Sequence, residues 1–305
     1  MISQEEVKAA LTGPVASVST PFKQDGSIDW RSLRRMVDFI IENGGRTVLL
    51  TCGDSLYTIL TDDEIAEVTR VVVEQTRKRA MTVAAGNWWL GKSVAFARFL
   101  REIGVDLYMP LPPDWAGSCS NDGLITYFAT IAQEMPVMLV TSLGGRPLPI
   151  PVIEHLHASQ AQIMAVKDDI CGAYGKRLVS LVQDRWSYLS GGRKINHLDT
   201  MPYGATGYLS VYMRFLPVVA HRYWQAISNK DLEGAVYVIK TYDIPFMENL
   251  VTATGLHFDA LIHAALEVFD LAERWRRNPY VSASDQQMEQ IRHFLKDVTH
   301  DVQSI

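Results

Sequence analysis

Short unbroken apolar runs alternate along most of this chain with longer segments whose apolar residues fall three and four apart. The runs read as strands buried on both faces, as in a parallel sheet, and the longer segments as amphipathic helices. Strands are expected at residues 15–20, 47–51, 81–85, 107–110, 137–140, 163–167, 187–190 and 207–211. Asp29 is the expected N-cap of a helix in which Leu33, Met36, Val37, Ile40 and Ile41 keep helical spacing until Gly44 and Gly45. Thr61 and Glu64 have capping-box spacing for the next helix. Further helices are expected at 93–103 and around 125–134, 152–160, 174–182 and 197–203. After the eighth strand only helical periodicity remains, around 218–227, 232–250, 258–269 and 285–298.

Eight β/α units followed by helices fit a closed (β/α)8 barrel over residues 1–214, with a C-terminal helical extension over 215–305 packed on it as one unit. An open doubly wound sheet fits less well, because no glycine-rich dinucleotide or phosphate loop follows the first strand. Composition adds exclusions. A net charge of -5 with scattered basic residues argues against nucleic acid as a partner. Cys52, Cys119 and Cys171 are odd in number and widely spaced, which suggests no disulfide framework or zinc site and a reducing, cytoplasmic setting. The acidic start of the chain does not resemble a signal peptide, and no apolar run approaches the roughly 20 residues needed to span a bilayer, so no membrane partner is expected.

In a barrel of this kind the chemistry lies at the C-terminal ends of the strands. Lys167 ends the run Ile163, Met164, Ala165, Val166 and is followed by Asp168 and Asp169. Loss of solvation there favours the neutral amine, which can attack a carbonyl and form a Schiff base. The plainer alternative is a solvated lysine in a loop, paired with Asp168 or Asp169.

Several fragments in a fixed order resemble the class I aldolases typified by dihydrodipicolinate synthase and N-acetylneuraminate lyase, over nearly the whole chain. They are Thr20-Pro21-Phe22 with Asp25 to Asp29, Leu60 to Glu64, Ala85-Gly86, Ala165-Val166-Lys167, Ser190-Gly191, Gly204 to Val211, and Arg277 to Tyr280. The resemblance implies that Lys167 is the Schiff-base nucleophile acting on pyruvate or another 2-oxo acid, with no cofactor and no metal, in a homo-oligomer, dimer or tetramer. It also implies a proton-shuttling tyrosine at the end of the fifth strand, a threonine pair that cradles the substrate carboxylate, and a tyrosine lent across a subunit interface. Here Val140 stands at the first position, Gly53 and Asp54 at the second, and Leu111, Pro112 and Pro113 at the third.

Such acid–base groups are worth about 100- to 10,000-fold each, so the sequence needs replacements or a reaction that does without them. Asp54, Tyr57, Tyr108, His197 and Tyr212 are the acid–base candidates near strand ends, with Ser55 beside them. Backbone N–H groups of Gly53, Asp54 and Ser55 are a candidate carboxylate cradle, and Val140 and Leu209 candidate substrate contacts. Arg193, Lys194 and Arg214, with Arg146 and Asn196 nearby, suggest a second anionic group on the substrate or else ordinary rim charges. Trp88, Trp89 and Trp115 on strand-end loops suit a substrate wall or, better, a subunit contact. His155, His157 and His263 lack metal-ligand spacing. Three functions remain: a Schiff-base lyase or aldolase, a sugar-acid dehydratase or hydratase-aldolase using the same imine, and a non-catalytic binder of a 2-oxo acid or dicarboxylate.

Overall fold

The computed structural model describes residues 2–159 and 161–303. Eight parallel strands close into a barrel in sequence order: β1 (Gly13–Ser17), β2 (Thr47–Leu49), β3 (Met81–Asn87), β4 (Leu107–Leu111), β5 (Val137–Val140), β6 (Ile163–Asp168), β7 (Ser187–Ser190) and β8 (Gly207–Leu209). The closure pairs Val15 of β1 with Leu209 of β8. Strands and helices alternate around it, so the expected (β/α)8 architecture is the observed one.

Helix starts follow the capping chemistry of the sequence. Asp29 accepts from the N–H groups of Arg31 and Ser32, both at 3.1 Å, and opens Trp30–Glu42. The Thr61–Glu64 capping box forms at 2.9 and 3.2 Å and opens Asp62–Thr76. Several bounds move by a few residues. The expected strand at 15–20 is Gly13–Ser17, and that at 207–211 ends at Leu209 because the chain turns into a short 3-10 segment, Val211–Arg214. The helix expected at 152–160 is Ile150–Ala158, and residue 160 lies outside the described residues. The helical run expected at 232–250 is continuous to Thr254 but widens to π turns at Ile239–Asp243 and Pro245–Asn249. Pro245 has no N–H and clashes with the preceding turn, and widening relieves both effects.

Two elements were not expected. Ser3 and Glu6 form a reciprocal capping box that starts the helix Gln4–Leu11, which buries Val7 and Leu11. Gln4 ties this helix to the entry end of the barrel through Met164 O at 3.0 Å and Ser187 Oγ at 3.3 Å. A small hairpin, Ser142–Leu143 with Arg146–Pro147, follows β5. The helices after residue 214 share one buried apolar cluster with the barrel interior, in which Val219, Leu261 and Leu266 join Val15, Leu49 and Met109. No helix among the described residues is long and apolar enough to cross a membrane.

Candidate active site

Strand alternation decides which side chains reach the barrel axis. On β6, Ala165 belongs to the interior cluster and Val166 to the cluster under the helices, so Lys167 points inward and Asp168 outward. Lys167 lies between Val140 of β5 and Leu189 of β7 in the strand register. It is 6% exposed. It lines a cavity of about 280 Å³ at the C-terminal ends of the strands, together with Thr51, Cys52, Gly53, Asp54, Val140 and Asp169. Met109, Leu111, Leu209, Val211 and Phe258 supply the apolar part of the wall.

The ionisable groups at this mouth are arranged as two ion pairs. Lys167 Nζ donates to both carboxylate oxygens of Asp169. Arg214 Nη2 donates to Asp54 Oδ2, which also accepts from Ser17 Oγ at 2.6 Å. Burial pushes the Asp54 carboxyl up, but the charge of Arg214, the Ser17 hydroxyl and the charge of Lys167 outweigh it and hold the group below its ordinary value. Asp54 is therefore an ionised wall residue, and Arg214 is a neutralised partner rather than a free anion contact. Asp168 has a different task. Its carboxylate accepts from Thr141 Oγ1 at 2.8 Å, Tyr188 OH at 2.6 Å and the N–H groups of Ile170 and Cys171 at 3.0 and 3.2 Å, which ties β6 to the turn behind it and to β7.

Most other candidates lie elsewhere. Tyr108 alternates with Met109 and so faces the helices, buried against Phe96. Tyr57 is buried behind the turn that follows β2, and Tyr212 donates to Tyr242 O at 2.9 Å among the C-terminal helices. His197 is enclosed by Tyr208, Tyr223 and Trp224, and burial pushes its imidazole down to about 4, so it is neutral at pH 7 and away from the mouth. Lys194 is buried, ion-paired with Asp243, and sits over the Tyr212 ring. Arg193 pairs with Glu248 at 2.6 Å on the surface, and Arg146 clasps Asp114. The carboxylate cradle is also largely committed: Asp54 N donates to Thr51 Oγ1 at 2.9 Å, Ser55 N to Thr51 O at 3.2 Å, and Ser55 Oγ to Val18 O at 2.6 Å. Gly53 does line the cavity, with open space beside its Cα. Val140 and Leu209 line it too.

Cys52, Asp169, Gly192 and Phe258 were missed as site residues. Asp169 was visible two positions after the lysine but was read only as a solvating partner. Phe258 comes from the helical extension, and no periodicity in the sequence brings it to the mouth. Burial pushes the Cys52 thiol up to about 12, against the pull of Lys167, so it is a neutral wall group.

A second, larger cleft of about 770 Å³ opens at the opposite end of the barrel, but three of its cations are ion-paired, Lys78 with Asp106, Arg79 with Asp38 and Arg101 with Glu134, and Arg46 donates to Ala9 O at 3.4 Å. The mouth holding Lys167 is therefore the candidate site.

A family model for the Dihydrodipicolinate synthetase family matches residues 10–298. The chain belongs to that family. It is 26% identical, over 90% of its own length and 93% of the relative's, to 4-hydroxy-tetrahydrodipicolinate synthase of Chlorobaculum parvum. It is 22% identical to the probable 5-dehydro-4-deoxyglucarate dehydratase of Bacillus licheniformis, over 96% of each chain. Among solved structures, a prophage protein of the dihydrodipicolinic acid synthase family from E. coli K12, in complex with pyruvate, superposes with a TM-score of 0.83 at 22% identity, covering 94% of this chain and 98% of the other. The family thus includes both synthases and dehydratases.

Proposed function

We propose that this chain is a Schiff-base-forming lyase or aldolase in which Lys167 attacks the ketone of pyruvate or another 2-oxo acid. The observation that carries the reading is an inward-facing lysine, buried at the end of β6, that lines a small cavity with a carboxylate on its amine. The imine formed there, once protonated, draws electrons from the neighbouring carbon, so that a carbon–carbon or carbon–oxygen bond can be made or broken. A cavity at the lower end of ligand-site volumes suits a small substrate. Gly53, Val140 and Leu209 are its contacts, and the Asp54–Arg214 pair is a polar wall rather than a free anion trap.

Val140 beside Lys167 carries no hydroxyl where the resemblance implies a tyrosine. That favours a second reading through the same imine, a sugar-acid dehydratase or hydratase-aldolase, and a third in which the ligand binds without turnover. The reading also includes a homo-oligomer: Trp115 and Trp89, 83% and 66% exposed on loops at the barrel mouth, are surfaces that a subunit contact would cover, and sedimentation velocity tests it.

The experiment is borohydride trapping with pyruvate and a panel of 2-oxo acids, read by intact and peptide mass. A mass increment on Lys167, absent in Lys167→Ala, is expected. No increment with any member overturns the reading. Product analysis on the best substrate then separates bond breaking at carbon, loss of water and no turnover.

A further inference from the structure

We propose that Asp169 is the acid–base group of this site, carrying the protons exchanged between Lys167 and the substrate oxygen. The inference deepens the Schiff-base reading and rests on it. Imine formation needs a group that takes a proton from the ammonium and returns protons to an oxygen that leaves as water. Val140, next to Lys167 in the register, has no exchangeable proton. Asp54 is fixed by Arg214 and Ser17, and the Cys52 thiol is held neutral by burial. The hydroxyls of Tyr57, Tyr108 and Tyr212 and the imidazole of His197 are buried away from the cavity. Asp169 remains.

Its geometry fits the task. Both of its oxygens accept from Lys167 Nζ, and among the described residues no other donor bonds them. The side chain is 29% exposed and lines the cavity. Its backbone N–H donates to Thr141 Oγ1 at 2.9 Å, and that hydroxyl in turn donates to Asp168, so the carboxylate is carried on a fixed turn. Gly191 leaves the space for it, since a Cβ at that position would lie 2.0 Å from Asp169 Oδ1. Asp168, saturated by four donor groups, has no such freedom. The other ionisable groups that face or neighbour this pair are Asp54, Arg214, Cys52 and Cys171.

The step balances without a co-reactant. The Asp169 carboxylate takes a proton from the Lys167 ammonium, and the freed lone pair attacks the carbonyl carbon as the C=O π pair moves to oxygen. Asp169 returns that proton to the alkoxide, giving a carbinol ammonium. It then takes a second proton from nitrogen, the nitrogen lone pair expels the hydroxyl, and Asp169 protonates it as water. A protonated imine and an ionised Asp169 result.

The test measures the rate of borohydride-trapped adduct on Lys167 across pH, with pyruvate and then the best 2-oxo acid of the panel. Wild type, Asp169→Asn, Asp169→Glu and Gly191→Ala are compared, each checked for folding by circular dichroism and thermal unfolding. If wild type forms no adduct, the Schiff-base reading and this inference fall together. If it does, Asp169→Asn is expected to slow adduct formation about 100-fold or more and to flatten its pH dependence. Asp169→Glu or added formate is expected to restore part of the rate. Gly191→Ala, which keeps both groups but displaces the carboxylate, is expected to slow it in the same direction. An Asp169→Asn variant that reacts at the wild-type rate with the wild-type pH profile overturns the role of Asp169 and leaves the Schiff base standing. So does a slow variant that neither formate nor the glutamate speeds up, because its loss is then structural.

Discussion

Replacing Arg214 by methionine removes one half of the buried pair that walls the cavity. Arg214 is 3% exposed and Asp54 16%, so water solvates neither well. With charge centres about 4 Å apart and an effective dielectric near 20, their attraction is about 4 kcal/mol. Breaking a buried pair from one side costs about 3 to 5 kcal/mol, because the remaining charge is left uncompensated. Arg214→Met is therefore expected to lose about that much stability at neutral pH, although Ser17 still donates to Asp54. Asp54→Asn strands the guanidinium instead and is expected to cost a comparable amount. The double variant leaves no charge stranded, so its loss should be smaller than the sum of the single losses by about 2 kcal/mol or more. Denaturant unfolding of the four proteins closes the cycle. The pH dependence supplies a second check. In wild type the native Asp54 value is depressed, so its contribution is complete above the ordinary 3.8 and lost as pH falls through the lower native value. In Arg214→Met burial, already the largest single influence, loses its main counterweight and the native value rises, so the deficit should shrink on acidification. A coupling energy below about 1 kcal/mol, the range of solvated surface pairs, together with a deficit independent of pH, would refute the claim that this pair is a buried structural unit.

Lys194→Met should destabilise by about 3 to 5 kcal/mol, since it leaves Asp243 buried and unpaired, while leaving the rate of adduct formation on Lys167 unchanged. A selective loss of affinity for dianionic substrates would instead return Lys194 to the role of an anion contact. Glu64 is held down to about 2, chiefly by hydrogen bonds from Arg277, which reaches it at 2.7 and 2.8 Å. Its stabilising effect should be complete above about pH 4.5 and disappear as pH falls toward 2, and acid unfolding of Arg277→Gln should lack that component. His197 has a native value near 4, below its unfolded value near 6.5, so the unfolded chain takes up its proton first and stability should fall between those two pH values by about 3 kcal/mol. His197→Phe should flatten that interval in pH-dependent thermal unfolding. Gly207→Ala would place a Cβ 1.7 Å from the Leu11 carbonyl oxygen, where backbone meets backbone, and should cost at least about 1 to 3 kcal/mol in the same assay.

The sequence by itself determined the barrel, because apolar runs and helical periodicities are local signals and eight repeats of them admit few closed arrangements. It also determined Lys167, whose position at the end of an apolar run fixes the strand end on which it stands. The N-terminal helix was not read from it, although the Ser3–Glu6 spacing carries the capping-box signal. What it could not determine was where each candidate polar group points. Tyr108 and Met109 are neighbours in the chain but face opposite sides of one strand. Lys194 and Arg214 read as a cationic rim until Asp243 and Asp54, each distant in sequence, neutralise them across the fold. Strand phase and long-range pairing are settled by closing the barrel and laying the last helices against it. Those contacts made Asp54 a fixed wall residue, brought Phe258 to the mouth, and left Asp169 as the carboxylate on the lysine.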